Sequence, residues 1–254
     1  MVNFWLSELL RSAALFGVAW LLGLWVLRGG IRVNYTRKIL HFILFFVPPA
    51  LLPLLPFDGS LLTVTLSSLV FLASIVIMSD PFRSRIPFLR TAFAAFDRPE
   101  DRPNTLKWLS TQILASYAVL IPVLAWLDAY GRVQLILITI LVAGLGDGLA
   151  EPVGVRFGRH TYETRALFTD QRYTRSLEGS ACVLLSGVLA VLVFSSQLGG
   201  AEFWLALALI PIAMTLAEAW SPHTWDGPFL YLVGGASTVL VLELAPRLAS
   251  QVYH

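Results

Sequence analysis

Residues 132–160 read RVQLILITILVAGLGDGLAEPVGVRFGRH. From Val133 the run is apolar and continuous rather than alternating, which predicts a membrane helix and not a barrel strand. It supplies the roughly twenty residues that a hydrocarbon core of ~30 Å requires. Its character then changes within one turn, to Asp147 and Glu151, clustered glycines, Pro152 and the bases Arg156 and Arg159.

The rest of the chain repeats this alternation of apolar span and charged connector. Of its 254 residues 57% are hydrophobic and only 13% charged, against about 25% charged in a soluble domain. Eight spans are predicted, at 9–27, 39–56, 60–79, 109–127, 132–151, 179–198, 201–219 and 228–245. The expected fold class is an all-α, polytopic helical bundle in a single domain, residues 1–254, with no room for a separate soluble one. Cys182 is the one cysteine, so no intrachain disulfide forms. The N-terminus has no basic leader, carries Glu8 before Arg11 and shows no small-residue cleavage site; it reads as a retained first helix.

Charge placement orients the bundle. Fifteen of the eighteen basic residues fall in three stretches, Arg28–Lys38, Arg83–Lys107 and Arg156–Arg175. Membrane proteins keep Lys and Arg on the cytoplasmic side, so these stretches are expected inside and both termini outside. The opposite turns, at Phe57-Asp58-Gly59, 128–132 and 197–202, carry almost no positive charge. This predicts an integral multi-pass protein of a bacterial inner membrane, or of a plastid or endoplasmic reticulum membrane in a eukaryote. The net charge of +2 is small and says little about partners; a lipid bilayer is expected as one and nucleic acid is not. The segment from Asp80 to Lys107 interleaves six bases with Phe82, Phe88, Phe93 and Phe96, the composition of either a helix in the headgroup region or a solvated loop.

Four motifs carry candidate chemistry, all at the predicted cytoplasmic ends of spans. Arg37, Lys38 and His41 open the second span; Arg37 and His41 share a face, and donors at a helix N-terminus suit an anion. Asp147 and Glu151 stand one turn apart at the inner end of the fifth span, where a carboxylate is costly. Small-residue helix packing accounts for the glycines there, Gly146 and Gly148 among them, but not for Asp147. In Thr174-Arg175-Ser176-Leu177-Glu178-Gly179 the serine suits a helix cap, and the glutamate suits the positive end of the dipole. Glu218 and Asp226 flank the last interhelical turn. Carboxylates of this kind suit Mg²⁺, and the bases suit phosphates. No P-loop, protein-kinase motif set, zinc motif or serine-hydrolase elbow occurs.

The order R-K-x-x-H, then G-D-x-x-A with following glycines and F-G-R, then [KR]-S-x-E-G, then an acidic pair before the last span, resembles the polyprenol kinases. These include phytol, farnesol, geranylgeraniol and dolichol kinases, within a superfamily shared with phosphatidate cytidylyltransferases. The resemblance runs from Arg37 to about Pro228. It implies CTP-dependent, Mg²⁺-requiring phosphorylation of a membrane-dissolved isoprenoid alcohol at the cytoplasmic face. Two departures stand out: Arg175 takes a place where lysine is common, and Gly227-Pro228 follows Asp226 where asparagine and an apolar continuation are usual.

Carried over by position, Lys38, His41, Asp147 and Glu178 are the expected catalytic residues. Arg37, Lys38, Gly146, Gly148, Arg175, Ser176 and Gly179 are expected to hold nucleotide and phosphate. Asp147, Glu178 and Asp226 are expected to ligate the metal, with Glu151 and Glu218 supporting. The base that takes the alcohol proton is open among Glu178, Asp226 and His41. Two other readings compete: a cytidylyltransferase acting on a lipid phosphate, and a non-enzymatic lipid or anion transporter.

Overall fold

The computed structural model describes residues 1–57, 60–167 and 170–252. Asp58 and Gly59, in the expected turn at 57–59, lie outside them. The chain divides into two compact units, Met1–Ser110 and Thr111–His254.

In the first unit α1 (Val2–Leu27), α2 (Val33–Leu51) and α3 (Leu61–Ile77) follow one another through short connections. α1 exposes Trp5 near its beginning and Trp25 near its end. At 1.5 Å per residue the two rings stand about 30 Å apart, the thickness of a bilayer core, and tryptophan favours its two boundaries.

The basic segment after α3 folds as α4 (Asp80–Arg83) and α5 (Pro87–Ala94). Leu89, Ala92 and Phe93 of α5 are buried in a cluster with Ala19 and Leu22 of α1, Leu40 of α2 and Met78. The approach is close because Gly23 lacks a side chain; a Cβ there would land on the carbonyl oxygen of Thr91. Thr36, buried in α2, donates to the Ala95 carbonyl at 2.5 Å and ties the end of this arm down.

The second unit takes up α6 (Thr105–Ala129) from Thr111 onward. A helical course then runs from Val133 to Phe157 through α7 (Ile136–Leu141), a π-helical turn at Val142–Gly146, and α8 (Asp147–Phe157). Next come β1 (Thr161–Arg165), β2 (Arg172–Ser176), α9 (Leu177–Val193), α10 (Gly200–Trp220) and α11 (Asp226–Val252). β1 and β2 pair antiparallel, with Tyr162 opposite Arg175 and Thr161 opposite Ser176. The all-α expectation therefore describes the bundle but omits this ribbon. Its strands are short and polar, and their Thr/Tyr alternation was masked by the charges around them.

Among the described residues five helices are long and apolar enough to cross a membrane: Val2–Leu27, Thr105–Ala129, Val133–Phe157, Gly200–Trp220 and Asp226–Leu248. Thr65–Ile77 and Leu177–Val193 are apolar but shorter. α2 carries Arg37, Lys38 and His41 in its first half and Pro48-Pro49 near its end.

In the second unit small residues let helices touch. A Cβ on Gly187 of α9 would stand 2.7 Å from Pro211 Cα of α10, and one on Gly234 of α11 would stand 2.5 Å from Thr139 Oγ1 of α7.

Candidate functional site

α10 stops at Trp220, and Ser221-Pro222 turns the chain; the residue before a proline is pushed out of the helical region. Glu218 is thereby held in the last turn of α10, while Asp226 begins α11. Arg175 of β2 reaches both. Its guanidinium donates to Glu218 Oε1 at 3.0 Å and to Asp226 Oδ1 at 2.5 Å, and it also bonds the Glu218 carbonyl. A cation thus meets a carbonyl at the negative C-terminal end of α10, and a carboxylate occupies the positive end of α11.

The cluster is enclosed: the side chains of Arg175, Glu218 and Asp226 are 12%, 7% and 17% exposed. Burial alone would lower the Arg175 pKa, but the carboxylates of Asp226 and Glu218 outweigh it and hold the guanidinium above its ordinary value. Hydroxyls complete the network. Ser221 Oγ donates to Asp226 Oδ1 at 2.6 Å, and Ser180 Oγ donates to Glu218 Oε2 at 3.2 Å. The Tyr162 hydroxyl stands 2.7 Å from Ser180 Oγ, and Thr164 Oγ1 donates to the Ser221 carbonyl at 3.0 Å. Burial pushes the Tyr162 phenol up, against an opposing pull from Ser180.

The second and third motifs are packed onto each other. Ser176 is the N-cap of α9, its hydroxyl accepting from the Gly179 N–H at 3.1 Å, as the sequence suggested. On the α8 side a Cβ at Gly154 would stand 2.9 Å from Ser176 Oγ, and one at Gly158 would stand 2.9 Å from Ser176 Cβ. A Cβ at Gly179 would stand 2.6 Å from the Ala150 carbonyl oxygen. Gly146 is similarly tight against Val183 of α9, and Gly148 is buried. Gly146, Gly154, Gly158 and Gly179 stand at these close contacts.

Asp147 opens α8 immediately after the π-helical turn. Such a turn inserts a residue into the helical register and recurs at functional positions. Asp147 is half-buried, as is Glu151 one turn on, and Asp147 lies within electrostatic reach of Glu218. Glu178, in the first turn of α9, faces His160 instead: its Oε1 is 2.9 Å from His160 Nδ1 and accepts from the His160 backbone N–H at 3.3 Å.

In the first unit Arg37 donates to Asp101 at 3.3 Å. Asp101 is buried and also receives two bonds from Arg98, at 2.8 and 3.1 Å. His41 stacks on Phe45 with ring centroids 4.6 Å apart, and Lys38 is half-buried beside them.

The second unit therefore unites Arg175, Glu218 and Asp226, and packs Ser176 and Gly179 against the glycines of α8, while Glu178 is directed to His160. Tyr162, Ser180 and Ser221 join the polar network, and His160 partners Glu178, although no role was predicted for them. Ser180, Ser221 and His160 lie within or beside the recognised motifs, and Tyr162 belongs to the strand alternation.

Among the described residues no three His, Cys, Asp or Glu side chains are grouped so as to hold a metal ion. Asp147, Glu178 and Asp226, the ligands that the resemblance implies, are not drawn together into one such group. Glu178 is turned to His160, and Asp226 is bound by Arg175 and Ser221. No family model matches the chain, and neither does any curated protein or solved structure.

Proposed function

We propose that this chain is a CTP-dependent kinase of membrane-dissolved isoprenoid alcohols, crossing the bilayer eight times with both termini outside and its chemistry on the cytoplasmic face. One observation carries the reading: Arg175, Glu218 and Asp226, from motifs up to 51 residues apart, converge in one buried cluster where α10 ends and α11 begins. A buried ion-pair cluster at the end of apolar helices is costly to build, and such groups in membrane proteins mark substrate or ion sites.

In this reading the alcohol oxygen attacks the γ-phosphorus of CTP, the bond to the β-phosphate oxygen breaks, and CDP leaves. The alcohol proton passes to a carboxylate. Positioning and charge neutralisation supply most of the catalysis in such transfers. Mg²⁺ belongs to the incoming nucleotide complex, as substrate. Asp147 is assigned to that complex from its place directly after the π-helical turn. The isoprenoid tail lies among the apolar helices and reaches the site laterally from lipid.

The test is incubation of the purified full chain with γ-labelled CTP and phytol or geranylgeraniol. Labelled isoprenoid monophosphate with CDP is expected. Pyrophosphate release on a lipid phosphate acceptor would replace this reading with cytidylyl transfer, and activity in neither assay would leave the transporter reading in its place.

A further inference from the structure

The arm formed by α4 and α5 has two sides of different chemistry. Its inner side is spent on the protein: Leu89, Ala92 and Phe93 are buried, and Arg83 is paired with Asp80 at 2.7 Å and lies over the Phe93 ring. Its outer side exposes Phe82 and Ile86 together with Arg85, and beside them the free part of Phe88, whose ring also stacks on Trp20 of α1. The Arg85 side chain has no hydrogen bond or ion pair with any described residue, and the same holds for Arg28 and Arg32 in the connection between α1 and α2. Chain direction puts all three bases at one end of the first unit's helices, because α1 and α3 end where α2 begins.

The level of the arm decides what covers it. α5 packs on α1 at Ala19, Leu22 and Gly23, whereas α1 ends at Leu27. Four to eight residues at 1.5 Å each place the arm about 6–12 Å inside the end of a helix long and apolar enough to span a bilayer. Amphipathic helices settle about 5–10 Å into the headgroup–acyl boundary. Exposed Phe82, Ile86 and Phe88 at this depth meet acyl chains, and guanidinium groups beside them meet lipid phosphates.

From this depth and this charge we infer that the outer side of the α4–α5 arm, with Arg28 and Arg32, is a binding surface for anionic phospholipid. The occupant is the lipid of the basic face's own leaflet. Acyl chains cover the three apolar side chains, and negatively charged headgroups neutralise three cations that no described residue pairs with. A juxtamembrane base contributes about a five-fold preference for an anionic surface.

The full chain, carrying Cys182→Ser and Ile86→Cys, is labelled with an environment-sensitive fluorophore and reconstituted in vesicles. One set is phosphatidylcholine and the other a mixture with phosphatidylglycerol. The label at 86 is expected to be quenched by a nitroxide high on the acyl chain and shielded from an aqueous quencher. A label open to water in both vesicle types overturns the proposal. Separately, phosphatidylglycerol retained by the detergent-purified protein is counted by native mass spectrometry. Arg28→Gln, Arg32→Gln and Arg85→Gln combined are expected to reduce it at least several-fold relative to phosphatidylcholine. Equal retention in the triple variant overturns the role of the bases. Should the triple variant fail to fold, the single Arg85→Gln variant is measured in the same way, with a few-fold loss expected and no loss overturning the role.

Discussion

The carbonyl oxygen of Ala150 stands 2.6 Å from the point where a side chain on Gly179 would begin. α8 and α9 are therefore in backbone contact where the second and third motifs meet. Gly179→Ala must push one helix away or distort the cap at Ser176, and overpacking of this kind costs about 1–3 kcal/mol. A lowered thermal midpoint of the detergent-solubilised protein is expected. Gly17→Ala in α1 is the control, since nothing lies within 4 Å of the added carbon. It is expected to leave the midpoint unchanged or raise it, because alanine is favoured over glycine in a helix by about 0.5–1 kcal/mol.

Replacing Arg175 separates charge from shape. Arg175→Met leaves Glu218 and Asp226 facing each other without a cation, and breaking a buried pair in this manner costs about 3–5 kcal/mol. Arg175→Lys keeps the charge but offers a point donor where the native fork spans two carboxylates, so it is expected to fall between Met and wild type. Combining Arg175→Met with Glu218→Gln and Asp226→Asn is expected to recover part of the loss. Unfolding midpoints of the four proteins check this order; equal midpoints for Met and wild type would remove the ion cluster as a stabilising element.

Asp101 plays the corresponding part in the first unit, receiving Arg98 and Arg37. Asp101→Asn takes the close carboxylate from the buried Arg98, leaving it Glu100 at 3.8 Å, and is expected to cost about 3 kcal/mol. Arg37→Ala removes the longer, more exposed contact to Asp101 and is expected to cost about 1 kcal/mol or less. Comparable losses from the two changes would show that Arg37, and not Arg98, carries the pairing.

Tyr162 gives a pH signature. Its phenol is raised by burial, so the folded protein holds the proton more tightly than the unfolded chain. The associated stability is fully present below the ordinary tyrosine value of about 10 and is lost as pH rises through the higher folded value. A difference absorbance titration of wild type against Tyr162→Phe is expected to show one phenol ionising later than a free tyrosine. A phenol ionising at the ordinary pH would place Tyr162 outside the closed network.

For the reaction, Asp147→Asn is expected to abolish labelled phosphate transfer while expression and thermal midpoint stay near wild type. Near-native turnover would remove Asp147 from the proposed nucleotide complex.

Much of the helical organisation was legible because apolar length is a direct reading of bilayer thickness, and the 132–151 segment was found as a helix that continues to Phe157. The cap at Ser176 was legible too, since its signal is local. The β1–β2 ribbon was not, because five-residue polar strands leave no periodic mark strong enough to stand beside Arg165 and Arg172. Nor could sequence show that Glu178 would turn to His160 while Asp226 went to Arg175. Both are acids beside helix starts, and only the fold of the ribbon distinguishes their partners. Close packing was one of two readings of the glycine motif, beside phosphate binding, and the partner that Gly154 and Gly158 meet, Ser176, lay in a different motif.

That counterpart has a genetic consequence. The Ser176 side chain touches the positions where Gly154 and Gly158 would grow one, and its oxygen also receives the amide of Gly179. Four codons are thereby bound to one another's fate. A mutational scan that changes them singly will record each as intolerant, and viable departures will surface only as concerted sets.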